Sequence, residues 1–119
     1  LHALSGTPYE PPLEGAILFL EDVAEAPYRV DRMLTTLRQA GWLERVAGVA
    51  LGAFTECPAR ADGRSVDEVL AERLSDLGIP VVSGVPAGHV DDNRELPIGA
   101  AVELDGDAAS LVFREPCAL

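Results

Sequence analysis

The apolar positions of this chain fall into runs and stripes separated by short polar breaks. Ala16-Ile17-Leu18-Phe19-Leu20 is a continuous apolar run ending in Glu21-Asp22, the pattern of a strand buried on both faces. Pro27 suits the first turn of a helix, and Glu25 places negative charge near its start. Val30, Met33, Leu34 and Leu37 recur at helical spacing as one apolar stripe, which Gly41 ends. Val46 to Phe54 is a second strand-like run, whose glycines allow close backbone approach. A loop from Thr55 to Arg64 leads to Ser65, which has the spacing of a capping box with Glu68. Val66, Val69, Leu70, Leu74 and Leu77 form the buried face of a second helix, closed by Gly78. Ile79 to Val82 is a third, short strand. Last, Ala101 to Leu104 and Ser110 to Phe113 flank Asp105-Gly106-Asp107, a turn signal for an antiparallel hairpin.

The order strand, helix, strand, helix, strand, loop, hairpin predicts an α/β fold. Crossovers of this length join parallel neighbours, so the central sheet is expected to be parallel, with helices packed on it and a C-terminal antiparallel hairpin. Residues 1–14 read as a linker or lead-in, because Gly6, Pro8, Pro11 and Pro12 interrupt any period. Residues 15–119 read as one domain, without internal repeats.

Composition narrows the functions open to such a domain. With 48% apolar residues and only six aromatics, its core is expected to be built from Ala, Val, Leu and Ile. A formal net charge of −11 argues against nucleic acid and anionic membrane as partners, since phosphate surfaces require clustered Lys and Arg. No apolar run approaches the roughly 18 residues of a membrane span. Cys57 and Cys117 lie far apart without metal-ligand spacing and read as unlinked thiols of a cytoplasmic protein. The chain does not begin with Met and reads as an excised piece.

In parallel α/β sheets, functional groups gather at the carboxyl ends of strands. Glu21 ends the first predicted strand, and His89 stands a few residues past the third, in the loop Ser83-Gly84-Val85-Pro86-Ala87-Gly88-His89. A carboxylate beside an imidazole is the orienting pair of a hydrolytic triad: it fixes the tautomer and stabilises the imidazolium formed when the base takes a proton. A strand-end carboxylate is also, and more often, a helix-start or loop residue, so pattern alone leaves Glu21 open; His2 reads as incidental. None of the five serines sits in G-x-S-x-G, and Ser83 is the one retained as an outside nucleophile. Cys57 reads as an ordinary loop cysteine. His89 with Asp91 and Asp92 is a poor zinc set, so no metal is expected. The glycines form neither a Walker A loop nor G-x-G-x-x-G, so nucleotide binding has no motif behind it.

Gly15 to Val23, continuing through Ala26-Pro27-Tyr28-Arg29-Val30-Asp31-Arg32-Met33-Leu34, resembles the start of the C-terminal domain of LD-carboxypeptidases. These serine peptidases include the murein tetrapeptide carboxypeptidases and the microcin C immunity proteins. Val85-Pro86-Ala87-Gly88-His89, with Asn93 and Leu96-Pro97-Ile98-Gly99, resembles the same family's histidine loop; Gly6-Thr7-Pro8-Tyr9-Glu10 resembles the segment after its interdomain crossover. The resemblance implies a swivelling β/β/α domain and a Ser–Glu–His triad split between two domains. Glu21 matches the acid and His89 the general base. It implies further that the nucleophilic serine lies on an N-terminal domain absent from this chain, and that this fragment alone is inactive. Cleavage of the amide before a terminal D-amino acid in cytosolic murein peptides, without metal or cofactor, and a homodimeric whole protein are implied as well. Within the resemblance, Asp22 is expected to cap the following helix and Asn93 to hold the histidine loop or serve as a turn residue. Tyr28, Arg29, Asp31 and Arg32 are expected on the helix surface or at the domain interface. An acyl-nucleotide hydrolase of the immunity type, and a non-catalytic binding module, are the alternatives.

Overall fold

The computed structural model describes residues 1–59 and 63–114, so Cys117 lies outside the described residues. Among the described residues, five strands and three α-helices follow in the order β1 (Ile17–Val23), α1 (Pro27–Gln39), α2 (Trp42–Arg45), β2 (Gly48–Thr55), α3 (Val66–Leu74), β3 (Val81–Val82), β4 (Val102–Asp105) and β5 (Ser110–Phe113). β1, β2 and β3 form a parallel sheet with β2 in the centre, and β4 and β5 form a separate antiparallel pair. The expected parallel sheet, flanking helices and terminal hairpin are all present.

The two crossovers run in the same direction across the sheet, so a common handedness places α1 and α3 on one face. There, Val30, Leu34 and Leu37 of α1 and Val66, Val69, Leu70 and Leu74 of α3 enclose Leu18, Val49 and Leu51 of the strands. Polar groups tie the helices together at the rim. Arg38 forks onto both oxygens of Asp76, at 3.1 and 2.6 Å, and donates to the Arg73 carbonyl; Arg73 in turn pairs with Asp31. That bond to Arg73 is the main reason the Asp31 carboxyl sits below its ordinary value of 3.8. Asp31 therefore bridges helices within the domain.

Alternate positions of β2 are small: Gly48, Ala50 and Gly52. A Cβ on Gly48 would stand 2.6 Å from Leu104 of the hairpin, and one on Gly52 would stand 2.5 Å from the Ala87 carbonyl and 2.6 Å from the Phe19 ring. The close backbone approach expected of these glycines is thus realised at both places.

Helix ends follow local chemistry. The Ser65 side chain accepts from the Glu68 amide, and the Glu68 carboxylate accepts from the Ser65 amide, a complete capping box. α1 starts at Pro27 with Ala26 as its N-cap and no side-chain cap, so the expected role for Asp22 is not taken up. Asp22 still belongs to β1, and its Oδ1 accepts from the adjacent Val23 amide at 2.8 Å. α3 stops at Leu74, short of Gly78, and Leu77 is only partly buried.

Two features lie beyond the periodic pattern. Gly41, at φ +75, turns the chain from α1 directly into the four-residue α2, whose Trp42 is fully buried. Residues 1–14 are folded against the domain: a 3-10 turn spans His2–Leu4, and Leu13 is 2% exposed. Glu10 accepts from the Gly6 amide at 2.6 Å and from Trp42 Nε1 at 3.1 Å, while Glu14 pairs with Arg45 at 2.8 Å. The Gly6 amide bond, followed by that to Trp42, lowers the pKa of Glu10.

Candidate active site

Glu21 and His89 come together. His89 Nδ1 lies 2.7 Å from Glu21 Oε2, although 68 positions separate them in sequence. A carboxylate can only accept, so the neutral imidazole carries its proton on Nδ1 and leaves Nε2 as an open acceptor. The Glu21 side chain is 26% exposed and the His89 side chain 58%, which places the base at the surface with the acid beneath it.

The pairing needs more than adjacent strand ends. β1 lies on one edge of β2, and the histidine loop runs along the other edge. At the usual strand spacing of about 4.8 Å their backbones stand roughly 10 Å apart, and the two side chains must meet over β2. Three features permit this. The register between β1 and β2 shifts between Leu20 and Asp22, where Leu51 and Phe54 are their partners, so β2 carries the extra residue opposite Glu21. Such a bulge re-aims the side chain beside it. β2 offers only Gly52 and Ala53 at that level. Finally, Gly88 adopts φ +120, and a Cβ there would stand 2.9 Å from Glu21 Oε2. Only glycine supplies both that conformation and that space.

The loop itself is held bond by bond. The Val85 amide donates to the Leu51 carbonyl at 3.0 Å, and the Ala53 amide donates to the Ala87 carbonyl at 3.0 Å. Asn93 Oδ1 accepts from the Gly88 amide at 2.9 Å, and the Arg94 amide donates to Pro86 at 2.8 Å. Of the two roles open to Asn93 in the sequence, the structure therefore gives it a bond that fastens the loop. Thr55 donates its hydroxyl to the His89 carbonyl at 3.2 Å. Sequence reading assigned Thr55 to the start of a loop and missed it; its position at the end of an apolar run was the available signal.

The other candidates lie apart from this pair. Ser83 lines a cleft of about 680 Å³ between α3 and the ends of β2 and β3, and neither Glu21 nor His89 lines it. The Cys57 thiol is half-buried and donates to the Thr55 carbonyl at 3.2 Å. Asp91 and Asp92 are exposed, and among the described residues no three His, Cys, Asp or Glu side chains gather as a metal ligand set. His2, by contrast, buries its Nε2 without a hydrogen-bond partner among the described residues. It lines a cavity of about 250 Å³ that also reaches Glu21 and Asp22. Among the described residues no helix is long and apolar enough to cross a membrane.

A putative carboxypeptidase of Synechocystis sp. is 54% identical over 110 residues, covering 91% of this chain and 36% of that protein. The crystal structure of muramoyltetrapeptide carboxypeptidase from Oxalobacter formigenes superposes with a TM-score of 0.82 at 38% identity, covering 92% of this chain and 39% of that one. MccF in complex with glutamyl sulfamoyl guanosine superposes with a TM-score of 0.83 at 27% identity, covering 95% and 34%. The chain thus spans about a third of the length of the relatives it matches. Residues 1–104 match the LD-carboxypeptidase C-terminal domain, and with more than half of its length in that match the chain belongs to the LD-carboxypeptidase family.

Proposed function

We propose that this chain supplies the acid and the base of a serine-type LD-carboxypeptidase. The observation that carries the reading is the 2.7 Å contact between Glu21 and His89 Nδ1, with Nε2 unpartnered among the described residues on a half-exposed ring. In this reading Glu21 holds the ring in the Nδ1–H tautomer, and His89 Nε2 removes the proton from a serine hydroxyl. That serine belongs to an N-terminal nucleophile domain docked over the exposed ring. It attacks the amide carbonyl before a terminal D-amino acid of a murein peptide; His89 then returns the proton to the leaving amine, and water cleaves the acyl-enzyme by the same route. The setting proposed is cytoplasmic and the whole enzyme homodimeric. Similarity to the muramoyltetrapeptide carboxypeptidase supports the murein substrate.

A second substrate reading draws support from the equally good superposition on MccF bound to glutamyl sulfamoyl guanosine, which makes an acyl-nucleotide amide the alternative. Both readings use the same pair. Turnover of a D-Ala-terminated murein tetrapeptide and of an acyl-sulfamoyl nucleoside, by the enzyme joined to its nucleophile domain, separates them. In that enzyme Glu21→Ala and His89→Ala are each expected to lower kcat by roughly a thousandfold or more. Near-native rates in either variant remove that residue from the mechanism. The 119-residue chain alone is expected to show no turnover, because His89 has no nucleophile hydroxyl to act on.

A further inference from the structure

The central strand touches both partners of the pair at one residue. Thr55 is the last residue of β2. Its main chain secures the strand of the acid: Thr55 registers with Val23 of β1, and its carbonyl accepts from the Ala24 amide at 2.9 Å. Its side chain secures the loop of the base, through the 3.2 Å bond from Oγ1 to the His89 carbonyl. Along the other edge of β2, contacts with the histidine loop recur at every second residue: Leu51 with Val85, Ala53 with Ala87, and Thr55 with His89. All three pairs share one sequence offset of 34. The loop therefore follows the edge of β2 beyond β3 as an irregular segment, with a turn at Ala87, whose amide donates to the Val85 carbonyl at 2.7 Å. The first two contacts are backbone bonds. The third, at the catalytic candidate itself, is made by a side-chain hydroxyl.

We propose that Thr55 is a positioning residue: its hydroxyl fixes the His89 main chain at the distance from β1 that lets Nδ1 meet Glu21. This rests on the catalytic reading of the pair. Loss of the hydroxyl leaves the Thr55 backbone, and so the hold on β1, in place. What it releases is the main chain at the end of the histidine loop: among the described residues, the remaining main-chain fastenings lie at Val85, Pro86, Ala87 and Gly88. The ring then samples positions away from the carboxylate.

Thr55→Val keeps the shape and the β-branching and removes the donor; Thr55→Ser keeps the donor. In the enzyme joined to its nucleophile domain, Thr55→Val is expected to lower kcat about three- to tenfold, the span of one neutral hydrogen bond, with KM within about twofold. Thr55→Ser is expected to restore most of the loss. In the present chain, ring 15N shifts of His89 should show a smaller Nδ1–H fraction in Thr55→Val than in wild type or Thr55→Ser. Unchanged kcat together with an unchanged tautomer in Thr55→Val would overturn the proposal. So would a Thr55→Ser variant as impaired as Thr55→Val, which would assign the effect to the methyl group. If the wild-type enzyme turns over no amide substrate, the catalytic reading falls, and the ring shifts still decide whether Thr55 sets His89.

Discussion

Glu21 and His89 meet at 2.7 Å from settings of different construction. Glu21 stands on a seven-residue strand whose register is set by backbone pairing with β2 and by Leu18 in the core beneath it. His89 stands on an irregular loop, more than half exposed, placed by a few separate hydrogen bonds and by the absence of a side chain at Gly88. The acid is placed by the fold, the base by its fastenings. Damage to the apolar packing should therefore lower stability first, whereas damage to the loop should lower activity with little change in stability.

Trp42→Ala tests the first half of that contrast and carries the largest expected effect on stability. The fully buried indole joins α2 to the lead-in through Glu10, so its removal opens a large cavity and leaves a carboxylate short of a donor. A loss of about 3–5 kcal/mol is expected in denaturant unfolding. A loss below about 1 kcal/mol would show that the lead-in and α2 do not belong to the core.

Gly88→Ala tests the second half. The new methyl would stand 2.9 Å from Glu21 Oε2 on a backbone at φ +120, so either the loop or the carboxylate must move. In the enzyme joined to its nucleophile domain, kcat should fall by roughly a hundredfold, the scale of a 1 Å misplacement, while the melting temperature shifts little. Equal loss of stability and rate would erase the distinction between the two regions.

The smallest effect concerns the ion pair that joins the helices. Hydrogen bonding to Arg73 depresses the Asp31 pKa in the folded state below 3.8. A depressed carboxyl stabilises the fold at pH values above its unfolded pKa, and that contribution disappears as pH falls through the folded value. The stability advantage of wild type over Asp31→Asn should thus be present at pH 6 and shrink as the pH falls below the ordinary value of 3.8. A gap that does not change with pH would assign the difference to packing.

What was legible in the sequence divides along the same line. Val30, Leu34 and Leu37, and Val66, Val69, Leu70 and Leu74, repeat with the helix period because they face one core, and all are buried. The capping box is a local motif between residues three apart, and it formed where its spacing indicated. α2 leaves no periodic signal because four residues make only about one helical turn, too few for a stripe to repeat, and Trp42 packs beside a lead-in that has no period. The hairpin strands were readable, yet their connection is longer than the Asp105-Gly106-Asp107 signal suggests. Asp105 Oδ1 accepts from both the Asp107 and Ala108 amides, and Ala109 takes φ +48 before β5 begins. Strand-end placement pointed to Glu21 and His89, but the bulge in β2 and the Thr55 hydroxyl involve residues on separate strands and loops. Contacts of that kind leave no periodic trace.

If the pair is catalytic, Glu21 dictates the state of the His89 ring. Ring 15N chemical shifts of the 119-residue chain, measured where the imidazole is neutral, test it directly, with Glu21→Ala as the comparison. Wild type is expected to populate mainly the Nδ1–H tautomer, and Glu21→Ala to revert to the Nε2–H form that free imidazole side chains favour. A wild-type ring protonated mainly on Nε2, or a tautomer ratio unaffected by Glu21→Ala, would contradict the account.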